Sequence, residues 1–242
     1  MVQVCAQVDE LVDHVATVLT NQAIRAVDIR GAFHLALSGG RTPEVLFRRL
    51  VIDPQYRALP WRDTHVWLVD ERRVPEDHEQ SNLGSIRGDL LDHVPIRSRQ
   101  VHAVPVAADR PAGEYEQALR STIGGPVPRL DFALLGMGAD GHTASLFPGS
   151  PALREQVALV AVNDGPAVTP PPRVTMTYRL LNAARYVGIL VTGQGKAATV
   201  ARVQRQYLDA APDPHNLPIA GVNPDDGMLA WYLDAAAAGA GR

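Results

Sequence analysis

One histidine of this sequence stands where an imidazole could do acid-base chemistry. The segment DFALLGMGADGHTASLFPGS, residues 131 to 150, runs from an apolar stretch into a loop whose glycines frame Asp140 and His142. An imidazole titrates near neutrality, so a histidine held at the rim of a sheet can take a proton from water and give it back. Asp131 and Asp140 lie beside it in sequence and Asp70 lies in another charged loop; any of the three could orient or charge-stabilise the ring. Gly136, Gly138 and Gly141 also match G-x-G-x-x-G. A dinucleotide would meet Asp140 inside the turn that should hold its pyrophosphate, and Thr143 onward lacks the small-residue helix and later acidic residue of that fingerprint.

Two further loops are suited to an anion. SGGRTPEVL, starting at Ser38, offers the amides of Gly39 and Gly40 ahead of Thr42 and Pro43, which suit the N-cap and first position of a helix. A helix start flanked by glycines favours negative charge, and Arg41 adds a guanidinium that can pair with phosphate oxygens. TGQGKAATV, starting at Thr192, puts Gly193, Gly195 and Lys196 at another helix start. As a Walker loop it fails: Leu190 occupies the place of the first glycine, and Ala197 that of the magnesium-binding hydroxyl. A third loop, DERRVPEDHEQSN, crowds Asp70, Glu71, Arg72 and Arg73 at the end of an apolar run. His78 within it has no second histidine at ligand spacing, so no metal is expected there.

These loops need strands and helices to aim them. Near-continuous apolar runs at 33 to 37, 65 to 69, 131 to 135, 157 to 162 and 186 to 191 read as strands covered on both faces. Helical patterns fall at about 9 to 26 with Asp9 as N-cap, after Thr42, and at about 81 to 91, 112 to 123 and 196 to 207. The alternation predicts an α/β fold, a mostly parallel Rossmann-like sheet flanked by helices on both faces, with ligands bound beyond the carboxyl ends of the strands. Residues 1 to 242 read as a single domain, with a long loop at 163 to 172 and a frayed tail over about 235 to 242.

Composition removes other classes. A hydrophobic fraction of 46% is ample for a core, and no run approaches the roughly 20 apolar residues of a membrane span. The N-terminus lacks a secretory pattern, and a single cysteine, Cys5, fits a reducing compartment, so a cytoplasmic protein without disulfides is expected. A formal charge of −3 argues against nucleic-acid binding. There is no G-x-S-x-G elbow, since Ala36 precedes Ser38, and no H-E-x-x-H pair. Metal-free acid-base chemistry on an anionic small molecule remains, with no cofactor and no membrane partner expected.

Taken together, SGGRTP, VDERRVPEDHEQSN, GMGADGHTASLFPG, PPRVTMT and GQGK fall in the order, and resemble the motifs, of the 6-phosphogluconolactonase family over nearly the whole chain. That family is similar in fold to glucosamine-6-phosphate deaminase. The deaminase pattern has an acidic residue where this chain has Phe147 and a tyrosine where it has Arg72, so the resemblance favours the lactonase. It implies hydrolysis of a phosphorylated sugar lactone in the oxidative pentose phosphate pathway, by a monomer or small homo-oligomer, with His142 as general base. It also implies that Ser38, Gly39, Gly40, Arg41, Thr42, Arg173 and Lys196 hold the phosphate and that Arg72 lies near the reacting end of the sugar. A deaminase and a non-catalytic sugar-phosphate sensor are the rival readings.

Overall fold

The apolar runs become the inner strands of one parallel sheet. A computed structural model describes residues 1–169 and 171–239. In chain order its elements are β1 (Val2–Cys5), α1 (Val8–Arg30), β2 (Phe33–Leu37), α2 (Arg41–Ile52), β3 (Thr64–Leu68), β4 (Asp70–Arg72), α3 (Asn82–Asp89) and β5 (Val101–His102). There follow α4 (Pro111–Ile123), β6 (Phe132–Leu135), β7 (Val160–Asn163), β8 (Arg173–Met176), α5 (Tyr178–Leu181), β9 (Tyr186–Val191), α6 (Ala197–Leu208) and β10 (Met228–Asp234). Seven strands form the sheet in the order β1-β10-β9-β6-β2-β3-β5, every pair parallel. The predicted parallel α/β fold is therefore found. Strands β2, β6 and β9 are buried almost throughout, which is why they read as unbroken apolar runs.

The departures have local causes. The run at 157 to 162, expected as another covered strand, contributes β7 to a separate antiparallel sheet of order β4-β8-β7. Its Val162 is 42% exposed, because β7 is an edge strand of that small sheet and is only partly covered. Helix α1 begins at Val8 with Gln7 at the cap, so Asp9 lies in the first turn, where its charge suits the helix dipole. Helix α2 is capped by Gly40 rather than Thr42. At φ 110°, Gly40 occupies backbone space that side chains rarely adopt. The tail does not fray at 235: Asp234 accepts the amide of Ala237 at 2.7 Å and Ala237 is buried, while 240 to 242 and Pro170 of the expected loop lie outside the described residues. Among the described residues no helix is long and apolar enough to cross a membrane.

Three histidines on the neighbouring strands β2, β3 and β5 carry a pH consequence. His34 pairs in register with His65, and Trp67 with His102, so the rings pile up: His65 on His102 at 5.2 Å and Trp67 on His102 at 3.7 Å. Trp67 Nε1 donates to His34 Nδ1 at 3.3 Å, and His65 Nδ1 meets His102 Nε2 at 2.9 Å, so at least one imidazole nitrogen at each contact must stay unprotonated. Burial, then the neighbouring imidazoles, lower the pKa of His34 to about 4, and the same causes lower that of His102 to about 4. Between about pH 4 and 6.5 the unfolded chain therefore binds more protons than the folded one. The histidine contribution is complete above that window and is lost as pH falls through it. Each fully titrating group changes stability by up to about 1.4 kcal/mol per pH unit, and partial solvent access reduces this, so a loss of about 2 kcal/mol from pH 7 to pH 5 is expected. Thermal unfolding across this range checks it; His102→Asn should flatten the slope, and an unchanged slope would remove the cluster as its source.

Candidate active site

Four chain segments that follow β2, β3, β6 and β9 meet at the carboxyl edge of the sheet. They enclose a cavity of about 260 Å³ whose wall includes Ser38 to Thr42, Asp70, Arg72, His142 and Lys196. The loops singled out by residue type thus arrive at one place, as the topology of a parallel sheet requires.

The histidine comes with a partner. His142 Nδ1 and Asp140 Oδ1 lie 2.6 Å apart, and the same oxygen accepts the backbone amide of His142 at 3.1 Å. A carboxylate on Nδ1 fixes the tautomer with the proton there, which leaves Nε2 as the basic nitrogen. Burial pushes the Asp140 carboxyl up, but its bonds to His142 outweigh that and hold it below the ordinary value, so it stays ionised near neutrality. The loop is built for this pair. Gly138 donates its amide to the His142 carbonyl, and a Cβ added at Gly138 would fall 2.1 Å from His142 Nδ1 and 2.4 Å from Asp140 Oδ1. Thr143 Oγ1 bonds the Gly136 carbonyl at 2.8 Å and closes the base of the loop. The Phe147 ring lies 4.8 Å from the imidazole.

Of the three carboxylates that the sequence left open, Asp140 is the one in contact with His142. Asp131 is corrected: it precedes β6, at the opposite edge of the sheet, where it pairs with Arg30 and Arg185 and accepts the His34 amide at 2.8 Å. Asp70 reaches the cavity wall, but its Oδ2 accepts the hydroxyl of Ser145 at 2.5 Å. It is buried.

Two cations share the cavity wall with the histidine. Arg41 opens α2 and Lys196 ends the turn before α6, both at the wall. Burial lowers the Lys196 pKa; Asp140 raises it and Arg41 lowers it further, which puts the ammonium within electrostatic range of both. Thr42 and Thr192 bring their hydroxyls within 3.3 Å across the two loops. Ser38 is buried, and its hydroxyl has no partner among the described residues, an arrangement that a bound polar ligand would satisfy. Arg173 is not on the wall. It faces Arg72 in the β4–β8 register, buried, with Nη2 bonded to the Thr169 carbonyl at 3.1 Å and with no partner for Nε and Nη1 among the described residues. Burial, then the charge of Arg72, lowers its pKa.

Sequence reasoning gave no role to Asn82 or Glu71, although both lie in the segment it singled out. The Asn82 side chain accepts from Arg72 Nη1 and donates to the Asp70 carbonyl at 2.8 Å. Glu71 accepts the amides of Arg72, Asn82 and Leu83, each at 2.8 Å, and so welds the strand to the start of α3. Gly39 leaves room for Asn82, since a Cβ there would lie 2.0 Å from Asn82 Oδ1. Losing the bond that holds the Arg72 guanidinium should cost about tenfold in kcat/KM for Asn82→Ala. A double-mutant cycle checks this: in an Arg72→Ala background the same change should add little, and full additivity would mean that Asn82 acts elsewhere.

Among the described residues, no group of three or more His, Cys, Asp or Glu side chains is arranged to hold a metal ion.

Comparison with known proteins gives this geometry a lineage. The family profile described as glucosamine-6-phosphate isomerases/6-phosphogluconolactonase matches residues 6–231. The rat protein named 6-phosphogluconolactonase is 42% identical over 215 residues, 86% of this chain and 80% of its own length. A rice protein named probable 6-phosphogluconolactonase 3, chloroplastic, is 39% identical over 221 residues, and the match spans 86% of this chain and 66% of that relative's length. The crystal structure of 6-phosphogluconolactonase from Thermotoga maritima superposes with a TM-score of 0.80 at 29% identity, over 97% of this chain and 99% of that one. With sequence and fold in agreement over almost its whole length, the chain belongs to the glucosamine-6-phosphate isomerase/6-phosphogluconolactonase family.

Proposed function

We propose that this protein hydrolyses 6-phospho-D-glucono-1,5-lactone to 6-phosphogluconate, the second step of the oxidative pentose phosphate pathway. The observation that carries this reading is the Asp140–His142 pair at one small cavity whose wall also holds Arg41 and Lys196. A base and fixed cations around one cavity suit a substrate with an electrophilic carbonyl and a phosphate.

A lactone is an activated ester, so a positioned water and a base suffice. His142 Nε2 takes a proton from water as the water oxygen bonds to the lactone carbonyl carbon. The Arg72 guanidinium, or a backbone amide, faces the resulting oxyanion. Collapse of the tetrahedral intermediate breaks the bond to the ring oxygen, which receives the proton from the imidazolium. One water is consumed and no covalent enzyme intermediate forms. The Gly39 and Gly40 amides, Ser38, Arg41, Thr42 and Lys196 hold the phosphate, and Arg173 adds its charge from the strand paired with that of Arg72. Asp70 accepts a sugar hydroxyl. Residues 1 to 242 act as one domain, a reading supported by a sheet that runs from Val2 to Asp234. Buried, unpaired Cys5 is compatible with a cytoplasmic setting.

Offering the purified chain two substrates tests the assignment. Lactone hydrolysis well above the uncatalysed rate, with no ammonia released from glucosamine 6-phosphate, is expected. Phe147 against the imidazole supplies no second carboxylate for the deaminase chemistry. Ammonia release would overturn the reading.

A further inference from the structure

The opposite edge of the sheet holds a larger hollow than the catalytic one, and it too is lined by cations. Arg30 and Ala32 lie before β2, Asp131 before β6, and Arg185 before β9; together with Arg129 and Arg179 they wall a cavity of about 780 Å³. A second hollow of about 340 Å³ shares Arg30, Arg129, Asp131 and Arg185 and adds Arg25. The five arginines of this bay face three aspartates, Asp131, Asp225 and Asp226, in a chain whose net charge is −3.

The internal ion pairs do not absorb this charge. Asp131, only 4% exposed, serves both Arg30 at 2.8 Å and Arg185 at 3.3 Å, so two guanidinia share one carboxylate. Burial, then the like charges of Arg129 and Arg30, lower the Arg185 pKa despite Asp131 and Asp226. Arg129 is held by Asp226 and by the Ala183 carbonyl at 2.9 Å. Among the described residues Arg179 donates only to backbone, to the Val157 carbonyl at 2.6 Å. None of these side chains has a part in lactone hydrolysis. Guanidinia bind phosphate oxygens through paired hydrogen bonds, and several around one hollow suit an anion carrying more than one charge.

We propose that this bay is a second ligand site, distinct from the catalytic cavity, for a di- or polyphosphate anion. Inorganic pyrophosphate is the probe, titrated calorimetrically into the whole chain. Binding is expected to persist in Lys196→Ala, where the catalytic cation is removed, and to weaken tenfold or more in Arg185→Gln and in Arg179→Gln. Lactone turnover without pyrophosphate should be unchanged in both bay variants. Arg179 is exposed and makes no ion pair with Asp131, so its variant remains informative if Arg185→Gln folds poorly. Binding that disappears in Lys196→Ala, or that neither bay substitution alters, would overturn the proposal.

Discussion

Replacing His142 with alanine is expected to lower kcat for the phosphorylated lactone by about 10² to 10⁴, with KM little changed. The expectation rests on where the ring sits. Its Nδ1 is committed to Asp140 at 2.6 Å, so its only basic position is Nε2, on the rim of the cavity. Substrate binding draws on cations from other loops, which the substitution leaves in place, so the loss should fall on the chemical step. Initial rates corrected for spontaneous hydrolysis separate the two constants. The Asp140→Asn variant refines the picture: an amide can present its donor to Nδ1, which would move the ring proton to Nε2 and disable the base without removing it. Near-wild-type kcat in His142→Ala would take the imidazole out of the mechanism.

The second large effect concerns binding energy far from the reacting carbon. For Lys196→Ala a loss of about 2 to 3 kcal/mol is expected, the worth of one charge-assisted hydrogen bond, or roughly 30- to 150-fold in kcat/KM. Contacts to a remote phosphate also align the carbonyl for attack, so kcat should share in the loss. The diagnostic is a comparison with the unphosphorylated lactone, which never engages the ammonium. Wild type should prefer the phosphorylated substrate and Lys196→Ala should lose that preference. Equal depression of both would assign Lys196 to the fold or to the chemistry, where its proximity to Asp140 gives it a route.

The sequence carries the inner sheet and most of the site clearly. FHLAL, HVWLV, DFALL and YVGILV lie in the parallel sheet because strands covered on both faces have no polar side to show. Legibility fails where a strand is not apolar. Asp70–Arg72 is a strand made of charged residues, held by pairing with β8 and not by propensity. RVTM, the strand β8, passes unread because Arg173 and Thr175 break its apolar pattern, whereas MLAWYLD, the strand β10, goes unread although six apolar residues follow Asp225, Asp226 and Gly227. The choice among carboxylates was partly legible. Asp131 and Asp140 are nine positions apart in sequence, yet the strand between them carries them to opposite edges of the sheet. A strand that begins at or beside Asp131 already puts that residue at the amino edge, away from the ligand-binding loops. The bond from Arg72 to Asn82 depends on the turn between them, and turn geometry leaves no periodic trace.

The pairing of β1 with β10, Val2 opposite Trp231, sets the order in which a ribosome can complete this molecule. The first strand made has its neighbour among the last. At typical elongation rates of roughly 5 to 20 residues per second, it waits on the order of tens of seconds. Through that interval Leu11, Val12, Val15 and Leu19 of α1, all buried in the finished fold, lack the part of their floor that β10 supplies. Nascent chains therefore need shielding more than folded ones do. Substitutions in β10 should accordingly show first as lost soluble yield, while each molecule that completes the sheet keeps its full turnover.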